Sequence, residues 1–108
     1  MPYIKQEQRE KLDSVINELS DRIVSMVKDE DDSAFAGILN YVSTRLALSI
    51  IRKKFGKIRY WMIAMVTGVF KNVADEFYRR LAVPYEDRKI DEEGDVDLYE
   101  DLLKDIKK

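Results

Sequence analysis

Trp61–Phe70 reads WMIAMVTGVF, and this run decides the fold because it is apolar almost all round. The apolar spacing continues on both sides, so we predict a helix over about residues 58–82. A helix that is apolar on most sides is normally buried on several sides. A chain of 108 residues can cover only part of such a helix by itself. We therefore predict that this third helix also forms a subunit interface, with Gly68 allowing a partner helix to approach closely.

Two further helices are predicted before this run. The first spans about residues 6–28, where apolar side chains recur three and four residues apart as a stripe predicted to be buried; these are Leu12, Val15, Ile16, Leu19, Ile23, Met26 and Val27. The second spans about residues 34–55, after an acidic turn in which Asp32 or Ser33 can cap it. Its predicted inward residues are Phe35, Ile38, Leu39, Val42, Leu46, Ile50 and Ile51. We predict a break at Gly56, although one unbroken helix is an open alternative because an interior glycine costs only about 1 kcal/mol.

Pro84 marks a change in the chain. Proline disfavours helical backbone at the preceding residue, so helix three is predicted to stop near Ala82. The polar stretch 85–95 is predicted to be an ordered loop that ends at Gly94. A short last helix over about residues 97–106 follows, with apolar positions at Leu98, Leu102, Leu103 and Ile106. The predicted fold is all-α: one domain over residues 1–108, formed by an oligomeric three-helix antiparallel bundle with a short extra C-terminal helix.

The composition excludes several classes of function. The chain has no Cys and no His, which excludes disulfide scaffolds, thiolate nucleophiles, Cys- or His-ligated metals and every His-dependent triad. We predict no metal and no cofactor. The absence of Cys and of an apolar leader favours the cytoplasm. Only five Asn and Gln residues stand beside 40 charged ones, and this balance favours a thermophilic source.

The net charge of -2 conceals a strong segregation. Residues 33–74 contain no Asp or Glu and carry a charge of +7, whereas residues 1–32 carry -4 and residues 75–108 carry -5. Assembly through the centre, with acidic ends shielding its cations, accounts for this pattern and for the apolar surplus at the centre.

A membrane hairpin is the alternative reading of the two apolar segments, with residues 52–59 as its cytoplasmic turn. Residues 34–51 include Arg45, which is costly inside a bilayer. Residues 60–70 are too short for a span of about 20 residues. We therefore predict no membrane association.

Paired carboxylates are the first candidate for catalysis. Glu7 with Glu10, and Glu18 with Asp21, superficially resemble the acidic pairs with which all-α nucleotide pyrophosphohydrolases hold magnesium between helices. Here both pairs fall on one helix and cannot face each other across a bundle within one chain. Their spacing from Arg9, Lys11 and Arg22 suits a solvated face with intrahelical ion pairs. The sequence therefore favours a protein that is not an enzyme.

The densest mixture of tyrosine, arginine and carboxylate lies around Pro84. If Pro84 folds the chain back, a fork of arginines between tyrosine rings suits a phosphate or nucleotide. The candidate ligand-binding residues are Tyr78, Arg79, Arg80, Tyr85, Arg88 and Lys89, together with Asn40 and Tyr41 on helix two. The structural alternative is a clasp in which Arg79 or Arg80 pairs with Glu76, Glu86 or Asp87.

A basic turn lies between helices two and three. It suggests contacts with the phosphates of a nucleic acid through Arg52, Lys53, Lys54, Lys57 and Arg59, with Tyr60 and Trp61 available to stack on bases. The alternative, which we favour, is neutralisation of these cations by the acidic ends of the same or a neighbouring subunit.

A string of short motifs suggests a family. The motifs are Met1-Pro2-Tyr3-Ile4, Gly37 with Asn40-Tyr41, Gly68-Val69, Glu76-Phe77-Tyr78-Arg79-Arg80, Pro84-Tyr85-Glu86-Asp87, Lys89-Ile90 and Gly94-Asp95-Val96. Over roughly residues 1–96 the chain resembles a family of small uncharacterised proteins from prokaryotes and their viruses. The resemblance implies a short protein without known catalytic residues, and residues 97–108 as an addition.

The sequence leads to one preferred function with two alternatives. We expect a non-enzymatic helical protein that acts by binding and forms a homo-oligomer through helix three. The alternatives are binding of a phosphorylated small molecule or nucleotide at the tyrosine–arginine residues, and nucleic-acid binding through the basic turn.

Overall fold

A computed structural model of the chain describes residues 3–107, with the side chain of Lys107 left out. Met1 and Pro2, which open the motif string, lie outside the described residues. The helices are α1 (Gln6–Val27), α2 (Ala34–Phe55), α3 (Tyr60–Phe77), α4 (Val83–Glu93) and α5 (Asp97–Lys107), with a π-helical segment at Tyr78–Ala82. Residues 3–107 contain no strand, so the all-α prediction is confirmed.

The chain divides into two compact units, Met1–Lys57 and Ile58–Lys108. The first unit is a helical hairpin in which α1 and α2 contact each other. Four of its half-buried apolar residues flank the acidic turn, namely Ile23 and Val27 on α1 and Ala34 and Ile38 on α2, and two more, Val42 and Ala47, lie further along α2. The second unit contains α3, the π-helical segment and α4 in unbroken succession, and then α5. The bundle arrangement and the single domain over residues 1–108 stay predictions.

The hairpin turn differs in one detail from the predicted cap. Ser33 precedes α2, but its hydroxyl donates a hydrogen bond to Asp31 Oδ2 at 2.8 Å rather than capping the helix. The backbone N–H groups of Ala34 and Ala36 instead donate to the carbonyl oxygens of Asp31 and Ser33.

The break at Gly56 is confirmed. Gly56 adopts a φ of 80°, and its N–H donates to the carbonyl oxygens of Arg52 and Ile51. Left-handed backbone of this kind is the usual way in which glycine ends a helix. Arg52 strengthens the stop, because its Nη1 donates to the Gly56 carbonyl oxygen at 2.8 Å.

The loop predicted after Pro84 is wrong, because the helix continues through it to Glu93. Proline lacks an N–H and cannot close an ordinary helical hydrogen bond at its own position. The π-helical segment accommodates this: the N–H of Val83 donates to the Tyr78 carbonyl oxygen five residues back. Pro84 then occupies the first turn of α4.

The apolar stripes predicted to be buried are mostly exposed in the described residues. Only Ile51 and Met62 are buried there. On α1 and α2 the stripe residues more than 45% exposed include Leu12, Val15, Ile16, Phe35, Leu39, Leu46 and Ile50. The helical periodicity is as predicted, but the chain's own contacts leave these side chains in solvent.

One helix in residues 3–107 is long and apolar enough to cross a membrane by length and composition. This helix is α2, with a mean hydropathy of 1.4 over its best window.

Candidate functional site

The tyrosine–arginine cluster comprises Tyr78, Arg79, Arg80, Tyr85, Arg88 and Lys89, and it lies on one continuous helical stretch. Tyr78–Ala82 is π-helical and Val83–Glu93 is α-helical, so Pro84 does not fold the chain back. At a rise of about 1.5 Å per residue, Lys89 lies on the order of 16 Å along the axis from Tyr78. The prediction that the fold-back closes an arginine fork around a ligand is therefore wrong in its geometry.

Glu76 pairs with two of the three arginines of the cluster, Arg79 and Arg80. Its Oε2 accepts a hydrogen bond from Arg79 Nη2, and its Oε1 lies 4.0 Å from Arg80 Nη1. The Glu76 side chain is only 18% exposed, whereas those of Arg79 and Arg80 are 69% and 64% exposed. The two guanidinium groups are thus positioned by a carboxylate of their own helix, which is the ion pairing predicted for the clasp.

Tyr78 is tied to the next helical segment. Its hydroxyl donates to Glu86 Oε1 at 2.8 Å, across eight residues of the continuous helix. The hydrogen bond to Glu86 raises the pKa of Tyr78 above 10.0, and the negative charge of Glu86 acts in the same direction. The physical reason is that loss of the phenol proton would break the bond and place two anions together.

Tyr78 is expected to ionise at a higher pH than an ordinary tyrosine. Because its pKa is raised in the folded state, the stabilisation from this bond is fully present below pH 10.0 and is lost as the pH rises through the folded pKa. A carbon-13 NMR titration of labelled tyrosines, with Tyr78 assigned through Tyr78→Phe, measures this pKa. Glu86→Gln keeps an acceptor and should lower the Tyr78 pKa partly, whereas Glu86→Ala should return it to about 10. Identical midpoints in all three proteins would contradict the assignment.

The other end of the cluster is also paired locally. Lys89 Nζ lies 3.6 Å from Glu93 Oε1 and 4.0 Å from Glu92 Oε2, and 5.9 Å from the centroid of the Tyr85 ring. Arg88 and Tyr85 are exposed. Exposed intrahelical pairs of this kind contribute less than about 1 kcal/mol each, so they orient the side chains more than they stabilise the fold.

The cluster presents alternating charge along a helix rather than a converging pocket. Arg79, Arg80 and Lys89 each have a carboxylate partner, which an incoming phosphate would have to displace. Asn40 and Tyr41 lie on α2, in the first unit, where Tyr41 is 62% exposed. Whether these eight residues share a ligand stays a prediction.

The basic turn keeps its cations exposed. Lys53, Lys54, Lys57 and Arg59 are all in solvent. The ion pairs recorded for residues 3–107 join side chains three or four residues apart, and none of them involves this turn. Arg52 differs from the others because its guanidinium caps α2.

Metal ligation finds no support in residues 3–107, where no group of three or more acidic side chains is arranged to hold an ion.

The hydrogen bond between Tyr78 and Glu86 was not predicted from the sequence. The two side chains can meet only if the helix continues through Pro84. The tendency of proline to end a helix at the preceding residue led to the opposite prediction.

Comparisons with known proteins give one match. A family model described as a domain of unknown function (DUF6899) matches residues 1–96. No curated protein and no solved structure matches the chain. The extent predicted for the family resemblance is confirmed, and the match ends one residue before α5 begins. The prokaryotic or viral origin stays a prediction.

Proposed function

The chain belongs to the family of the domain of unknown function DUF6899, and from that premise we propose that it is a non-enzymatic binding protein that assembles with further copies of itself through α3. The observation that carries the proposal is an exposed apolar surface on this helix. We define the α3 apolar face as Val66, Val69, Phe70, Val73 and Phe77.

The spacing of these residues places them on one side of α3. Val69, Phe70, Val73 and Phe77 are 55%, 42%, 53% and 68% exposed, and Val66 is half-buried. Burying one Val or Phe side chain is favourable by about 1.5–3 kcal/mol. A face of four such side chains therefore gains several kcal/mol when another surface covers it, which is enough to favour association.

The charge distribution supports a second copy as the occupant. Residues 33–74 contain no acid, whereas the segments before and after them carry -4 and -5. Each copy thus offers both a cationic and an anionic surface, and two copies can pair them reciprocally in a symmetric contact. A foreign partner would have to match both surfaces at once.

The molar mass in solution tests this proposal. Light scattering coupled to size-exclusion chromatography should give at least twice 12.7 kDa at micromolar concentration. Dilution should reduce the mass, because association follows mass action. A monomer at all concentrations up to the solubility limit would refute the proposal.

The proposal includes the predicted bundle arrangement, the cellular location and the absence of membrane association. The antiparallel three-helix bundle is supported by the contact between α1 and α2 and by the stop at Gly56. Location in the cytoplasm and a thermophilic source are supported by the composition, which has no Cys and few Asn and Gln residues. A prokaryotic or viral origin rests on the family resemblance of residues 1–96. The prediction that the protein avoids membranes rests on Arg45 within α2 and on residues 60–70, which are too few for a span of about 20 residues.

Nucleic-acid binding is the second candidate. One observation favours it: in the described part of the chain the cations of the basic turn have no carboxylate partner. Ligand binding by the tyrosine–arginine cluster is less well supported, because Arg79 and Arg80 already pair with Glu76.

A further inference from the structure

α5 has the most one-sided distribution of apolar residues among the helices. Leu98, Leu102 and Ile106 follow one another at intervals of four, and Leu103 widens the same face. Their side chains are 64%, 59%, 79% and 46% exposed. A short helix whose apolar face is largely exposed has little intrinsic stability in water, so another surface is expected to cover this face.

We define the α5 apolar face as Leu98, Leu102, Leu103 and Ile106, and acidic residues border it on one side. Asp101 and Asp105 each precede an apolar residue by one position, and they are four residues apart on the same edge. The surface that covers α5 should therefore combine apolar side chains with cations. The same carboxylates disfavour an anionic lipid surface.

The α2 stripe provides this combination. We define it as Phe35, Leu39, Leu46 and Ile50, which are 52%, 55%, 58% and 54% exposed. Lys53 and Lys54 lie at its end in the last turn of the helix, and the nearest acids in sequence lie outside residues 33–74. The part of α2 from Leu46 to Lys53 is about 10 Å long, which is comparable with the about 12 Å from Leu98 to Ile106 on α5.

We propose that α5 is a docking helix that covers the α2 stripe of a second copy, with Asp101 and Asp105 against that copy's Lys53 and Lys54. This inference rests on the proposed self-assembly and adds a second contact to the one at α3. The family match ends at residue 96, so the added helix supplies a contact that the matched region does not contain.

Charge reversal in the full-length chain tests the docking. One variant carries Asp101→Lys and Asp105→Lys, and the other carries Lys53→Glu and Lys54→Glu. Each variant alone brings like charges together across the contact, which strongly disfavours association. Sedimentation should show the dissociation constant of the assembly rising by about tenfold or more in each.

Mixing the two variants distinguishes a contact between copies from one within a copy. In a mixed assembly the reversed α5 of one variant faces the reversed α2 of the other, and the native α5 faces the native α2. The 1:1 mixture should regain a dissociation constant within about threefold of the unmodified chain. Circular dichroism checks that both variants keep their helices, and Lys104→Gln, on the opposite side of α5, serves as a neutral control.

The possible outcomes separate this inference from the proposed function. If the variants associate as tightly as the unmodified chain, docking of α5 on α2 is refuted while self-assembly stands. The mixture of the two variants could fail to regain tight association while a single chain with all four substitutions regains it. In that case α5 docks on α2 of its own copy, and the inference is also wrong. If the unmodified chain is monomeric, the proposed function itself fails before any variant is made.

Discussion

Replacement of Val73 by glutamate is expected to reduce the assembly to monomers. Val73 lies at the centre of the α3 apolar face, between Val69 and Phe77, and is 53% exposed. A glutamate there would be buried against the partner without a counter-charge, and an unpaired buried charge costs several kcal/mol. A symmetric contact contains the substitution on both sides, so its effect enters twice. Light scattering should then give 12.7 kDa at concentrations where the unmodified chain is associated.

Ala64→Glu provides the matched comparison. Ala64 is nine residues before Val73, which is about two and a half helical turns, so it faces the opposite side of α3. The Ala64→Glu substitution introduces the same charge into the same helix and should leave the assembly intact. The reverse pattern, with Ala64→Glu dissociating and Val73→Glu harmless, would move the interface to the side of Gly68. Circular dichroism shows whether the helix persists in both variants.

Gly56→Ala is expected to destabilise the chain, whereas Gly37→Ala is expected to stabilise it. A Cβ added at either glycine meets no atom within 4 Å, so neither substitution causes a steric clash. Gly56 has a φ of 80°, and an L-residue in that conformation costs about 1–2 kcal/mol. Gly37 lies in the interior of α2, where alanine is better than glycine by about 0.5–1 kcal/mol.

Urea unfolding followed by circular dichroism measures both glycine variants. Equal protein concentrations are needed, because self-association adds to the apparent stability. The two free energies of unfolding should differ by about 2 kcal/mol with opposite signs relative to the unmodified chain. A Gly56→Ala chain as stable as the unmodified one would mean that Gly56 does not form the left-handed stop of α2.

Local signals accounted for most of the secondary structure. The three- and four-residue apolar spacing located α1 and α2, and Gly56 marked the end of α2 because only glycine adopts its φ cheaply. The continuation past Pro84 was not predictable from the proline rule alone. It depends on a π-helical hydrogen bond from the Val83 N–H to the Tyr78 carbonyl oxygen, and the local composition does not predict that bond.

Burial was less predictable than periodicity. The pattern identifies which side of each helix is apolar, but it cannot say what covers that side. Leu12 and Leu46 lie on their predicted stripes and are still 49% and 58% exposed. In the candidate site the pairing of Arg79 with Glu76 followed from spacing along one helix. The bond from Tyr78 to Glu86 did not, because it requires the helix to continue.

The π-helical segment at Tyr78–Ala82 also sets the angle between the side chains of α3 and those of α4. Such a segment contains one residue more than an α-helix needs over the same turn, so it rotates all later side chains by about 100° relative to α3. Removal of a single residue within it would turn α4 back by the same angle, but it would place Pro84 inside an ordinary helix, where its ring clashes with the carbonyl group four residues back. The extra residue therefore has two effects: the helix continues past Pro84, and α4 presents its side chains at a different angle from the α3 apolar face.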